Sequence, residues 1–217
     1  MNKLFNFDKK NKKAEFLIGT DEAGRGPLAG PVVAAAVCFP EINSQIIKKL
    51  ELINDSKQLT EKQRAYLFEI IKENSVYSII SVDVDEIEKE NILRCSLKAM
   101  KLSCEDVIEK TGKNVEVFVD GNRLIRQFNF PQKTIVKGDA KSACIASASI
   151  LAKVYRDNIM TNYAQIYPQY DFQNNKGYGT QKHIAAILKY GTTPIHRQSF
   201  LKKIFEREEE KQLILNF

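Results

Sequence analysis

The sequence predicts an α/β domain with a mixed central sheet flanked by helices and a helical C-terminal extension. Two apolar runs stand close together near the start, further short β-branched runs follow, and segments with helical periodicity lie between them. Phe16 to Thr20 is the first run, apolar and short enough for a buried strand. A glycine-rich turn follows, and Pro31 to Phe39, built on Val32-Val33-Ala34-Ala35-Ala36-Val37, folds back as the second strand. Thr60 is placed to cap a helix opening Glu61-Lys62-Gln63-Arg64, with Tyr66, Leu67, Ile70 and Ile71 at helical spacing. Val76 to Val82 is β-branched enough for a third strand. Ile87 to Lys110 reads as one long helix whose buried face is Ile92, Leu93, Leu97, Met100 and Val107. Val115 to Val119 is a strand that runs into Asp120-Gly121, and Lys133 to Val136 forms a short edge strand. Ser142 to Tyr163 is a helix whose Ala- and Ser-rich start permits close packing. From Thr180 onward the pattern is helical, interrupted at Pro194.

With 217 residues, 43% of them hydrophobic, the chain suits one domain with an ordinary core. We divide it into a basic N-terminal segment, residues 1–15, a domain spanning 16–200, and a C-terminal helix and tail, 201–217. A net charge of +6 favours a polyanionic partner, although many basic proteins bind none. Cys38, Cys95, Cys104 and Cys144 form no Cys-x-x-Cys pair and read as buried thiols of a reducing compartment. His183 and His196 are the only histidines, which argues against a zinc site of His/Cys type. Met1 to Lys13 lacks an apolar h-region, and no run is long enough to span a membrane. A cytoplasmic monomer is expected.

Chemistry concentrates in Asp21-Glu22-Ala23-Gly24-Arg25-Gly26-Pro27, where two adjacent acids follow an apolar strand and a turn sets one arginine between two glycines. Carboxylates at a strand end can hold divalent cations through oxygen. Glycines let backbone approach a sugar-phosphate closely, and the arginine adds a planar donor fork. Asp120 also ends an apolar strand, so neighbouring strands would bring Asp21, Glu22 and Asp120 to one sheet edge. Such a cluster repels itself unless cations are present. Asp120 before Gly121 equally suits a turn, as Asp-Gly pairs often do. Asp139 and Asp157 compete as a fourth ligand. A single helix between them would separate its ends by about 27 Å, so both cannot serve one site.

The string Asp-Glu-Ala-Gly-Arg-Gly-Pro-Leu-Ala-Gly-Pro-Val resembles the signature of bacterial ribonuclease HII, a type 2 ribonuclease H. In the same order, Asp55-Ser56-Lys57-Gln58-Leu59, Val117-Phe118-Val119-Asp120-Gly121 and Lys137-Gly138-Asp139-Ala140-Lys141-Ser142 resemble that family's blocks. So do Ser147 to Val154, Gly177-Tyr178-Gly179-Thr180 with His183, and His196-Arg197-Gln198-Ser199-Phe200. The sibling family, ribonuclease HIII, usually carries Gly-Lys-Gly in the turn, where this chain has Gly24-Arg25-Gly26.

The resemblance implies a ribonuclease H-like fold and a two-ion Mg²⁺ or Mn²⁺ site held by Asp21, Glu22, Asp120 and, from the Lys-Gly-Asp block, Asp139. It leaves Asp157 as a surface partner of Lys153 or Arg156. It implies hydrolysis of the RNA strand of RNA–DNA hybrids, and cleavage on the 5′ side of single ribonucleotides in duplex DNA, giving 3′-hydroxyl and 5′-phosphate ends. Gly24, Arg25 and Gly26 are then expected to sense the 2′-hydroxyl, the local difference between RNA and DNA. Tyr178 is expected to pack on the deoxyribose that follows, although an ordinary loop aromatic fits the sequence as well. Lys57, Lys141, Ser142, Lys153 and Arg197 are expected at phosphates, and each alone also suits a solvated surface group. His183 and His196 receive no acid–base role. A catalytically inactive hybrid-binding module of the same fold is the alternative, against which the intact set of acids argues. At the end of the chain, Gln212, Leu213, Leu215 and Phe217 resemble the short peptide by which bacterial repair proteins dock on the sliding clamp. The same residues also suit a terminal helix folded back on the domain.

Overall fold

In the computed structural model, which describes residues 2–53 and 59–215 and no side chain beyond residue 208, strands and helices alternate around one five-stranded sheet. In chain order the elements are α1 (Lys3–Asn11), β1 (Phe16–Ala23), β2 (Val32–Cys38), α2 (Ser44–Lys49), α3 (Glu61–Asn74), β3 (Val76–Val82) and α4 (Val84–Glu90). They continue with α5 (Ile92–Thr111), β4 (Val115–Asp120), β5 (Gln132–Ile135), α6 (Ala143–Ile166), α7 (Phe172–Asn175), α8 (Gln181–Tyr190) and α9 (Gln198–Leu215). The strand order is β3-β2-β1-β4-β5. β1 is antiparallel to β2 and parallel to β4, and β4 is parallel to β5, so the sheet is mixed as expected.

Alternation along the strands sends successive side chains to opposite faces and builds two cores. Leu17, Val33, Ala35, Val37 and Phe118 face α1, α3 and α6, whereas Ile18, Val32, Ala34, Ala36, Val117 and Val119 face α5. The alanines of β2 keep both helical layers close. Gly19 does so more sharply: a Cβ built there would lie 2.3 Å from the backbone of Cys144 in α6. A third apolar cluster, with Met160, Tyr170, Phe172, Ile187 and Leu201, joins the C-terminal helices to Ala29.

Several boundaries depart from the sequence expectations. β1 continues to Ala23 rather than ending at Thr20, because antiparallel pairing with β2 extends through Ala23 and Val33. Asp21 and Glu22 are therefore strand residues. The helix expected over Ile87 to Lys110 is two helices, broken at Asn91, whose φ is 75° and whose side chain accepts from the N–H groups of Leu93 and Arg94. The basic N-terminal segment forms α1, which buries Phe5 and Asp8. Thr60 caps α3 in a capping box with Gln63. Among the described residues no helix is long and apolar enough to cross a membrane, and all four cysteines are free and buried.

Candidate active site

The register of β1 against β4 sets the acids. Gly19 pairs with Phe118 in the parallel ladder, so two residues further along Asp21 and Asp120 lie side by side on the same face, the one covered by α6. Asp21 is buried. Its carboxyl accepts the N–H of Glu22 at 2.7 Å and a hydrogen bond from Ser149 of α6. Burial, then the charges of Glu22 and Asp120, push it well above the usual carboxylate range. Glu22 is also raised, chiefly by burial, and the opposing pull comes from Arg25, whose Nη1 stands 3.2 Å from Oε1. Asp120 accepts the N–H of Gly138 at 2.6 Å. That bond brings the turn containing Asp139 against the end of β4, and Asp139, in the 3₁₀ turn Gly138–Ala140, is partly exposed beside it.

These are hard oxygen donors crowded until burial and mutual repulsion raise two of them, a condition that a divalent cation relieves. They fit Mg²⁺ or Mn²⁺ better than any softer ion. Among the described residues no three such groups already stand in a closed ligand arrangement, so the acids are gathered at one edge without converging on a single point. Asp157 is paired with Lys153 at 2.7 Å along α6.

The Gly24–Gly26 turn projects beside the acids. Gly24 has a φ of 98°, and a Cβ there would meet Arg156 Nε at 2.2 Å, so glycine is required both by conformation and by space. Arg25 and Gly26 are exposed. Tyr178 stands across from them, 44% exposed, with its ring edge 3.9 Å from a Cβ built on Gly26. The guanidinium of Arg156 and the ammonium of Lys153 each lie 6.0 Å from its ring centroid. Turn, tyrosine and acids thus share one surface.

Other expected contacts are placed differently. Arg197 is wholly buried and donates to the carbonyls of Gly24, Arg25 and Gly30, so it cannot reach a phosphate. Burial, then the neighbouring Arg156, lowers it to about 9. Ser142 is buried as the N-cap of α6, its hydroxyl accepting from Ile145 N–H. Lys141 is exposed and donates to Val136 O at 2.7 Å. Lys57 lies outside the described residues. His183 and His196 are buried with Nε2 atoms 3.1 Å apart, and burial keeps both below the usual histidine range, His196 at about 4. Ser149, Arg156 and the core role of Asp8 were not found from sequence. A serine or arginine within an Ala- and Ser-rich helix carries no local mark of which strand it will face.

A family model described as Ribonuclease HII matches residues 18–203. The ribonuclease HII of Fusobacterium nucleatum subsp. nucleatum is 49% identical over 212 residues, covering 97% of this chain and 95% of the relative. The crystal structure of the ribonuclease H2 from Pyrococcus horikoshii OT3 superposes with a TM-score of 0.69 at 27% identity, over 88% of this chain and 98% of that one. The ribonuclease HII in the PCNA:RNase HII complex from Archaeoglobus fulgidus, at 22% identity, gives a TM-score of 0.67 over 84% and 94% of the two chains, a likeness of fold.

Proposed function

Since the chain belongs to the ribonuclease HII family, and is thereby a metal-dependent endoribonuclease acting on RNA–DNA hybrids, we propose that it also cuts beside single ribonucleotides in duplex DNA. The cut falls on the 5′ side of the ribonucleotide: water adds at phosphorus, the bond to the 3′-oxygen breaks, and 3′-hydroxyl and 5′-phosphate ends result. The observation that carries this reading is the juxtaposition on one surface of the Asp21–Asp120 edge, the exposed Arg25-Gly26 turn and Tyr178. A nuclease for continuous hybrids alone has no need of a group that rejects RNA after the cut.

Asp21, Glu22, Asp120 and Asp139 would hold a pair of Mg²⁺ or Mn²⁺ ions. When bound, these supply Lewis-acid stabilisation of the phosphodiester and lower the pKa of the attacking water. Ser149 and the Glu22 N–H fix the Asp21 carboxylate, and Gly138 N–H fixes Asp120, so the acids meet substrate already oriented. Gly24, Arg25 and Gly26 read the 2′-hydroxyl. Tyr178 packs on the next deoxyribose, where a 2′-hydroxyl would clash, so selection combines attraction with rejection. Lys57 and Lys141 are assigned to backbone phosphates, and Ser142 acts only through the start of α6.

A sliding clamp is proposed as a further partner of the tail. What supports it is the Gln212-Leu213-x-Leu215-x-Phe217 spacing together with the clamp complex of the Archaeoglobus homologue. The α9 backbone continues through Leu215.

The test is a labelled duplex with one ribonucleotide, incubated with Mg²⁺ or Mn²⁺ and with EDTA. One cut, 5′ of the ribonucleotide and abolished by EDTA, is expected. Cleavage of continuous hybrids but not of this duplex would refute the proposal.

A further inference from the structure

We propose that Arg197 is a positioning residue for ribonucleotide recognition: it binds the turn carbonyls of Gly24 and Arg25 from inside the protein and thereby aims the N–H groups of Arg25 and Gly26 outward as paired donors for a substrate 2′-hydroxyl. This rests on the ribonuclease HII reading above and adds a residue to it.

The geometry begins with the planar trans peptide, in which C=O and the following N–H point in opposite directions. No peptide bond in the described chain is cis. Arg197 Nη2 donates to Gly24 O at 2.7 Å and Nη1 to Arg25 O at 3.2 Å. With both carbonyls drawn inward, the N–H of Arg25 and that of Gly26 must face away from the core. Both residues are exposed, and among the described residues neither amide donates to an acceptor. Nε and Nη2 also grip Gly30 O, at 3.0 and 2.7 Å, which anchors the guanidinium plane to the start of β2. One planar fork therefore fixes three carbonyls at once, a task that a lysine ammonium cannot share out in the same way.

Arg156 repeats the device on the next stretch. It donates to Ala29 O and Pro31 O, and to Lys176 O in the loop that presents Tyr178, each at 2.9 Å. Leu28 N–H closes the same gap onto Gly177 O at 2.8 Å. Arg156 thus sets the spacing between turn and tyrosine, and Arg197 the direction of the turn amides. Among the described residues neither arginine is in an ion pair with a carboxylate. A buried guanidinium without an anionic partner is a poor way to gain stability, since apolar packing would serve as well. Its donors to carbonyls give this one a directional task.

The experiment is equilibrium binding without catalysis, in Ca²⁺ or EDTA, of two duplexes identical except for one 2′-hydroxyl. Wild type binds the ribonucleotide duplex more tightly. Arg197→Lys, which keeps the charge but not the fork, loses about tenfold of that preference, the value of one or two hydrogen bonds, with the loss falling on the ribonucleotide duplex. A preference retained in Arg197→Lys, or equal losses on both duplexes, overturns the inference. Absence of any preference in wild type overturns the underlying reading as well, and the two failures are thereby distinguished. Should Arg197→Lys not fold, the ¹⁵N-labelled wild type decides. Arg25 and Gly26 amide signals that move with the ribonucleotide duplex and not with DNA support the inference; equal shifts with both sink it.

Discussion

Ser149 of α6 hydrogen-bonds Asp21 of β1 across the sheet–helix interface, and the approach of the two elements depends on Gly19, where a Cβ would lie 2.3 Å from α6 backbone. Backbone cannot step aside as a flexible side chain does. Gly19→Ala is therefore expected to cost about 3 kcal/mol of stability, the upper part of the range for overpacking. By lifting Ser149 away from Asp21 it should also lower cleavage about 100-fold, as expected when a catalytic group shifts by an ångström. Urea denaturation and single-turnover cleavage check the two effects. A stable, fully active variant would mean that α6 does not orient Asp21.

Asp120→Asn should lose nearly all cleavage and still fold, because the amide oxygen can keep the Gly138 hydrogen bond while one charge leaves the cluster. Asp120 is one of the charges that raise Asp21. Without divalent ions the variant should therefore melt at or above the wild-type temperature, each 1 kcal/mol of relief giving about 2–4 °C in a chain of this size. Calorimetry in EDTA and a cleavage assay in Mg²⁺ test both parts. Near wild-type turnover would remove Asp120 from the site.

Asp8 of α1 is buried against the start of α6, one oxygen accepting Cys144 N–H at 3.0 Å and the other without a partner among the described residues. Burial raises it from 3.8 to about 6. The folded protein thus holds this proton more tightly than the unfolded chain. The contribution is most favourable below pH 3.8, falls as pH rises, and levels above about pH 6. The rise corresponds to about 3 kcal/mol at most. Asp8→Asn should remove that part of the slope, leaving the variant more stable than wild type at pH 8 and similar to it at pH 4. Denaturation across this range checks the sign, and identical pH profiles would count against it.

Much of this was legible from sequence because it depends on local pattern. Apolar runs gave the five strands, and Asp21 and Asp120 at two of them implied a shared edge that the β1–β4 register then defines. Asn91 was missed as a break because helical periodicity resumes on either side of it, and only its φ of 75° interrupts the chain. Arg197 was expected at a phosphate because a charge in sequence suggests solvent. Its burial comes from carbonyls more than 160 residues away, which no local window contains. Asp8 escaped for the same reason: a basic segment hides one acid that inserts beneath α6.

Gln212 to Phe217 carry the proposed clamp-docking spacing. Deleting these six residues should leave cleavage of short duplexes unchanged and abolish pull-down of the sliding clamp from the same organism. Two leucines and a terminal phenylalanine can fill an apolar cleft, with the glutamine at its rim. If the truncation unfolds the domain, the residues belong to its packing; if the full chain captures no clamp, the docking role is wrong.

Tyr178 provides the sharpest test of substrate choice. Its ring centroid lies 6.0 Å from both the Arg156 guanidinium and the Lys153 ammonium, and its edge approaches the exposed turn at Gly26. At 44% exposure the ring is open to a ligand. Tyr178→Ala removes the surface on which the deoxyribose packs, a contact made only where DNA follows the ribonucleotide. The loss of about 1–3 kcal/mol typical of aromatic stacking on a nucleotide should therefore fall on the duplex with a lone ribonucleotide, lowering its cleavage about 5- to 150-fold. A continuous hybrid has a 2′-hydroxyl at that position and never used the contact fully, so its cleavage should fall much less. Side-by-side rates on the two substrates decide: equal losses would show that Tyr178 supports the loop without reading the RNA-to-DNA step.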